Sequence, residues 1–144
     1  MAYSFSIHTM KDGKFGPTPN GHFYQPMPYH NPNAQKRYDK SRWILNQGEQ
    51  YEVFEVADTP TPIRKNWMND DGTGLYGMLA DCSVVLGKDE EERLAFFPKP
   101  QNDSDPWHGY PTDSSDLGEN LIEYWHDNQL ISDITYVRLS RHEL

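Results

Sequence analysis

An aspartate and a histidine three residues apart, flanked by two large aromatics, make Asp105-Pro106-Trp107-His108-Gly109-Tyr110-Pro111 the most chemically loaded segment of this chain. An aspartate that orients an imidazole gives a general base, and Asp103 or Asp113 adds a carboxylate nearby. Trp107 and Tyr110 would then offer faces for a ring-shaped substrate. His22 and His30, eight residues apart on a proline-rich loop, are the other acid–base candidates. Together His108, Asp105, His22 and His30 outline a hydrolase or nucleotide-processing site between loops 15–30 and 103–113. The competing reading spends the same residues on structure: Trp107 and Tyr110 plug the core, and the aspartates hold turns. No serine or cysteine in an activated context accompanies them.

Six histidines raise the question of a metal, with His8, His22 and His30 as the nearest approach to a ligand set. Zinc sites show closely spaced pairs such as His-x3-His or Cys-x2-Cys, and the chain has none, so neither a metal nor a cofactor is expected. Asn69-Asp70-Asp71-Gly72-Thr73-Gly74 matches neither a calcium loop nor a lysine-bearing phosphate loop and reads as a turn. Lys36, Arg37, Lys40 and Arg42, interleaved with Tyr38 and Trp43, form the one basic patch with an RNA-contact pattern.

These residues must be positioned by elements of both kinds. Tyr3, Phe5 and Ile7 alternate with Ser4, Ser6 and His8, which predicts a strand over 3–9. Residues 11–33 hold five prolines and three glycines, too many for regular structure, yet Phe15, Phe23, Tyr24, Met27 and Tyr29 imply order rather than a linker. Residues 34–46 fit a helix capped by Asn33 and stopped at Gly48, or a strand over 42–45 that turns at 46–49. Alternation predicts a strand over 51–57, broken by Thr59-Pro60-Thr61-Pro62. Apolar runs at 82–86 and 93–97 predict a hairpin, with the charged Gly87-Lys88-Asp89-Glu90-Glu91 between them and Pro98 and Pro100 ending it. Asp116 with Glu119 suggests a capping box opening a helix whose stripe is Leu117, Leu121, Tyr124 and Trp125, stopped at Asn128. Residues 134–139 predict a final strand. Helices and strands do not alternate regularly, which gives an α+β fold: a single domain over 1–144, mostly antiparallel sheet with one or two helices and long Pro/Gly-rich loops.

Composition favours a binding role over catalysis. The net charge of −9 falls wholly in the second half: residues 1–72 hold eight basic and eight acidic side chains, residues 73–144 five and fourteen. Such a surface disfavours nucleic acid and anionic membranes and suits a basic protein partner. The start of the chain lacks a signal-peptide pattern, no apolar run approaches a bilayer span of about 20 residues, and the lone Cys82 reads as a buried strand residue. A cytoplasmic protein-binding module is therefore expected, an inhibitor, antitoxin or immunity-type partner, with Trp107, Tyr110, Phe23, Tyr24 and Tyr29 as contact residues.

Overall fold

Asn46 opens the first helix with a reciprocal cap: its side chain accepts from the Glu49 N–H, while the Glu49 carboxylate accepts from the Asn46 N–H. The computed structural model describes residues 3–36 and 40–144, and this helix, α1 (Gln47–Ala57), is its organising element. Gln50, Val53, Phe54 and Ala57 are buried at helical spacing, and so are Tyr51 and Glu52 between them. A helix buried on nearly every side mimics strand alternation over seven residues, which is why 51–57 is helical and not the expected strand. Gly48, expected as a stop, lies in its first turn. Residues 42–45 form no strand before it: Trp43 makes an isolated bridge with Gly87 and the chain bends at 44–45, with Trp43 N–H donating to His30 O and Ile44 N–H to Leu86 O. No helix occupies the described part of 34–46, and residues 37–39 lie outside the described residues.

Three short strands follow: β1 (Gly74–Gly77), β2 (Leu94–Pro98) and β3 (Tyr110–Thr112), in antiparallel order β1-β2-β3. β2 pairs Ala95 with Gly77 on one side and with Pro111 on the other. Pro111, which lacks an N–H, is tolerated because β3 is an edge strand. The expected hairpin between 82–86 and 93–97 is not formed. β2 takes β1 as its partner, and Ala80, Asp81 and Cys82 all adopt left-handed backbone conformations, with φ of 49°, 59° and 58°. That turn directs 82–86 away from the sheet, and the Arg93 guanidinium donates to the Cys82 and Ser83 carbonyls. Cys82 is buried all the same, and burial pushes its thiol up to about 12.

The last two elements are helices, α2 (Glu119–Asp127) and α3 (Asp133–Ser140), packed on each other. Of the stripe expected for α2, Leu121 and Trp125 are buried and Tyr124 is half-buried; Leu117 is buried just before the helix, Ile122, which was not expected, is buried too, and Asn128 stands at the end. Its cap is not Asp116. Gly118 is the N-cap residue, and the distant Asp70 carboxylate accepts from the Asn120 and Leu121 N–H groups at 2.8 and 3.1 Å. Only a glycine admits this approach, since a Cβ at 118 would lie 2.2 Å from Asp70 Cγ. The expected strand over 134–139 is α3: Ser132 caps it at the Thr135 N–H, and Thr135 and Leu139 turn inward one turn apart.

The core lies between α1, the sheet and the loops. Phe54 sits at its centre, with ring centroids 5.6 Å from Tyr24, 5.2 Å from Phe97 and 5.6 Å from Trp107. Trp43, fully buried, packs on Phe97 and donates its indole N–H to Gly109 O. Together these elements make one α+β domain with a three-stranded antiparallel sheet and three α-helices. No helix among the described residues is long and apolar enough to cross a membrane.

Residues 3–36 contain neither an α-helix nor a β-strand beyond isolated bridges, such as Phe15 with Tyr24 and Tyr24 with Trp107, and side chains of α1 and its C-cap do much of the rest. Glu52 accepts from Tyr3 Oη, Ser6 N–H and His8 Nε2. Burial alone would raise its carboxyl, but these three bonds outweigh that and hold it below the usual range. Gln50 receives the Tyr24 hydroxyl and reaches Asn31. Asp58, the C-cap of α1, holds Thr18, Asn20 and His22. The expected strand over 3–9 is thus an irregular segment tied to a carboxylate, and Ile7, expected inside, is 97% exposed.

Candidate functional site

Loop 25–30 folds back over the segment that joins β2 to β3, and a cleft of about 640 Å³ opens between them. Tyr29, His30 and Lys40 line one side, and Lys99, Asp105, His108 and Tyr110 the other. Five of the residues singled out in the sequence therefore share one cleft: Tyr29, His30, Asp105, His108 and Tyr110.

Both histidines are aimed by backbone carbonyls. His30 Nδ1 donates to Ser41 O at 2.5 Å, and His108 Nδ1 donates to Gln25 O at 2.8 Å. A carbonyl only accepts, so each neutral ring carries its proton on Nδ1 and presents Nε2 as a lone pair. His30 is further fixed between the rings of Tyr29 and Tyr110, at 4.6 and 5.3 Å. Burial lowers its pKa, the Ser41 bond opposes that, and Lys40 lowers it further, so the ring is neutral near pH 7. Asp105 does not orient His108. Its carboxylate accepts from Asn102 Nδ2 instead, as turn aspartates do.

A second cleft of about 320 Å³ adjoins the first, with Lys99 and Pro100 lining both. His22 and Trp107 belong here, with Lys65, Asn102 and Asp103. His22 Nδ1 donates to Asp58 Oδ2 at 2.7 Å, and its ring tilts against Trp107 at 5.3 Å. Asp58 is fully buried and accepts from Thr18, Asn20 and Asn66 as well. A carboxylate there is opposed by the negative end of α1, and the four donors are what make it tolerable. Asp58 was missed in the sequence because the signal it carries, a carboxylate before a proline-rich break, does not name partners some 40 residues away.

The remaining expected contact residues divide by burial. Phe23 is 42% exposed, whereas Tyr24 and Trp107 are core residues. In the basic patch, Arg42 and Lys36 are paired with Asp89 and Trp43 is buried; Arg37 and Tyr38 lie outside the described residues. Arg42 holds the Asp89 carboxyl down at about 2. Asn69-Asp70-Asp71 is a turn whose side chains serve Thr73, Gly118 and α2. Among the described residues no group of three or more His, Cys, Asp or Glu is placed to hold a metal ion.

No family model, curated protein or solved structure matches the chain. Chemistry and surface must therefore speak for themselves. Neither cleft is lined by a serine, threonine or cysteine, so covalent nucleophilic catalysis of that type has no candidate there. Helix α3, which lines neither cleft, offers a different feature. On α3, Ile134 and Val137 stand one turn apart and are 74% and 41% exposed, beside the outward-pointing Asp133. Leu130, in the turn leading into α3, is also exposed and shares a hollow with Asp127 and Asp133.

Proposed function

We propose that this chain is a small protein-binding module that docks a basic partner through the outer face of α3. The observation that carries the reading is the exposed pair Ile134 and Val137, two β-branched aliphatics left in water on a helix whose inner face already buries Thr135 and Leu139. Removing such a side chain from water contributes about 1.5–3 kcal/mol, so a partner that covers both gains a hydrophobic centre. Charge sets the partner's sign: residues 119–144 hold five acidic side chains against two arginines. A basic surface would be steered toward this end of the molecule and docked with fewer like-charge contacts. Small size, acidity and clefts without a serine, threonine or cysteine support an inhibitor, antitoxin or immunity-type role in the cytoplasm.

The test compares capture by the tagged wild-type chain with capture by the double variant Ile134→Lys, Val137→Lys from native lysate. Both side chains are exposed, so the variant should keep its melting temperature. A stoichiometric basic partner held by the wild type, released by salt and lost by the variant, supports the proposal. Equal capture by both proteins, or none by the wild type, overturns it.

A further inference from the structure

On an acidic molecule, the two adjoining clefts are lined by Lys40, Lys65 and Lys99 against only Asp103 and Asp105. Each cleft sets two lysines against one aspartate, and the smaller adds a histidine fixed on a buried carboxylate. The Lys65 and Lys99 ammonium groups make no hydrogen bond or ion pair with any described residue, their bonds to Asn20 and Thr73 being made by the backbone, and His22 Nε2 makes none either. We propose that His22, Lys65 and Lys99 form a binding site for the phosphoryl group of a small molecule.

The dyad beneath the cleft is what makes this more than two surface lysines. Asp58 fixes His22 by its Nδ1, and Thr18, Asn20 and Asn66 fix Asp58 in turn. The ring therefore cannot swing, and Trp107 closes one side of it. When His22 carries both protons, Nδ1–H is spent on Asp58 and Nε2–H is left for a ligand. Two ammonium groups and this imidazole border one cleft, and a phosphoryl group has the oxygens and the charge to receive the lysines and a proton shared with Nε2. Asn66 and Asn102, also in the lining, each give one amide N–H, to Asp58 and to Asp105.

Size and charge both select a small ligand. The cleft, about 320 Å³, is at the lower end of small-molecule sites. A nucleic-acid strand running beyond it would meet a surface carrying the rest of a −9 net charge. Asp103 is the one carboxylate in the lining and opposes any anion. The site is independent of the α3 docking face and stands or falls separately from it.

Calorimetric titration of the full chain with inorganic pyrophosphate at low ionic strength tests the site, with the His22 ring resonances followed by NMR. Saturable one-to-one binding that moves the His22 signals is expected. Lys65→Met combined with Lys99→Met should weaken it about tenfold while leaving the melting temperature unchanged, since both side chains are exposed. Asp103→Asn should strengthen it. Absence of saturable binding to the wild type, or undiminished binding to the double lysine variant, overturns the assignment.

Discussion

His22 and Asp58, 36 positions apart, meet at 2.7 Å through a ring nitrogen and a fully buried carboxylate. The pair joins the coiled N-terminal segment to the end of α1, so it is structural as well as being the floor of a cleft. Removing the carboxylate leaves Thr18, Asn66 and His22 with unmet donors, while Asn20 keeps the Asp58 and Lys65 carbonyls. Asp58→Ala is expected to cost about 3–5 kcal/mol, read as a lower midpoint in urea unfolding. Asn20→Ala removes one donor among several and should cost about 1 kcal/mol. Equal effects from the two variants would sink the view of Asp58 as the hub.

The cap of α2 is supplied across the fold. Asp70→Ala should lower stability by about 1 kcal/mol, the usual loss when a capping acceptor goes. Asp116→Ala should stay within about 0.5 kcal/mol, because only its backbone carbonyl is used, by Asn69. Thermal melts of both variants decide between the local cap suggested by sequence and the distant one found.

Trp107 lies against Phe54 and His22 and is 5% exposed. Trp107→Ala is expected to destabilise by about 3–5 kcal/mol through the cavity it leaves. Were Trp107 a contact residue for a partner, the variant would lose binding and keep its stability. Tyr29→Ala, in the open cleft, should be far milder.

Acid should loosen the His30 neighbourhood. Its folded-state pKa is lowered, chiefly by burial. Below about pH 6.5 the unfolded ring takes up a proton that the folded ring resists, so protons favour the unfolded chain. The His30 contribution is complete above that value and is lost as pH falls toward the folded pKa. Melting temperatures measured between about pH 7.5 and 5.5 should fall with pH, and His30→Gln should flatten the slope. An unchanged slope in the variant would remove His30 as the cause.

How much was legible before the structure depends on whether the signal was local. Leu121 and Trp125 with Asn128 announced α2, and the irregular order of elements announced α+β. Tyr51, Val53, Phe54 and Val56 are as compatible with period 2 as with period 3.6 over so short a run, and only the Asn46–Glu49 cap settles them as helix. Tyr3, Phe5 and Ile7 alternate without a neighbouring strand to pair with. His30, His108 and Tyr110 stood out by type, and they do line one cleft. Lys65, Lys99 and Asp58 carried no such mark, because their meaning lies in what folds around them.

The dependence of residues 3–36 on Gln50, Glu52 and Asp58 has a consequence for synthesis. A ribosome delivers the dependent segment first and its anchors later. Until α1 has left the exit tunnel, Tyr3, His8, Thr18, His22 and Tyr24 lack the side-chain partners that α1 and its C-cap supply, and about a quarter of the chain has only local bonds, such as those of Phe15 with Tyr24, to hold it. The helix that reads as a strand in the sequence therefore sets the moment at which this first quarter can become part of the fold.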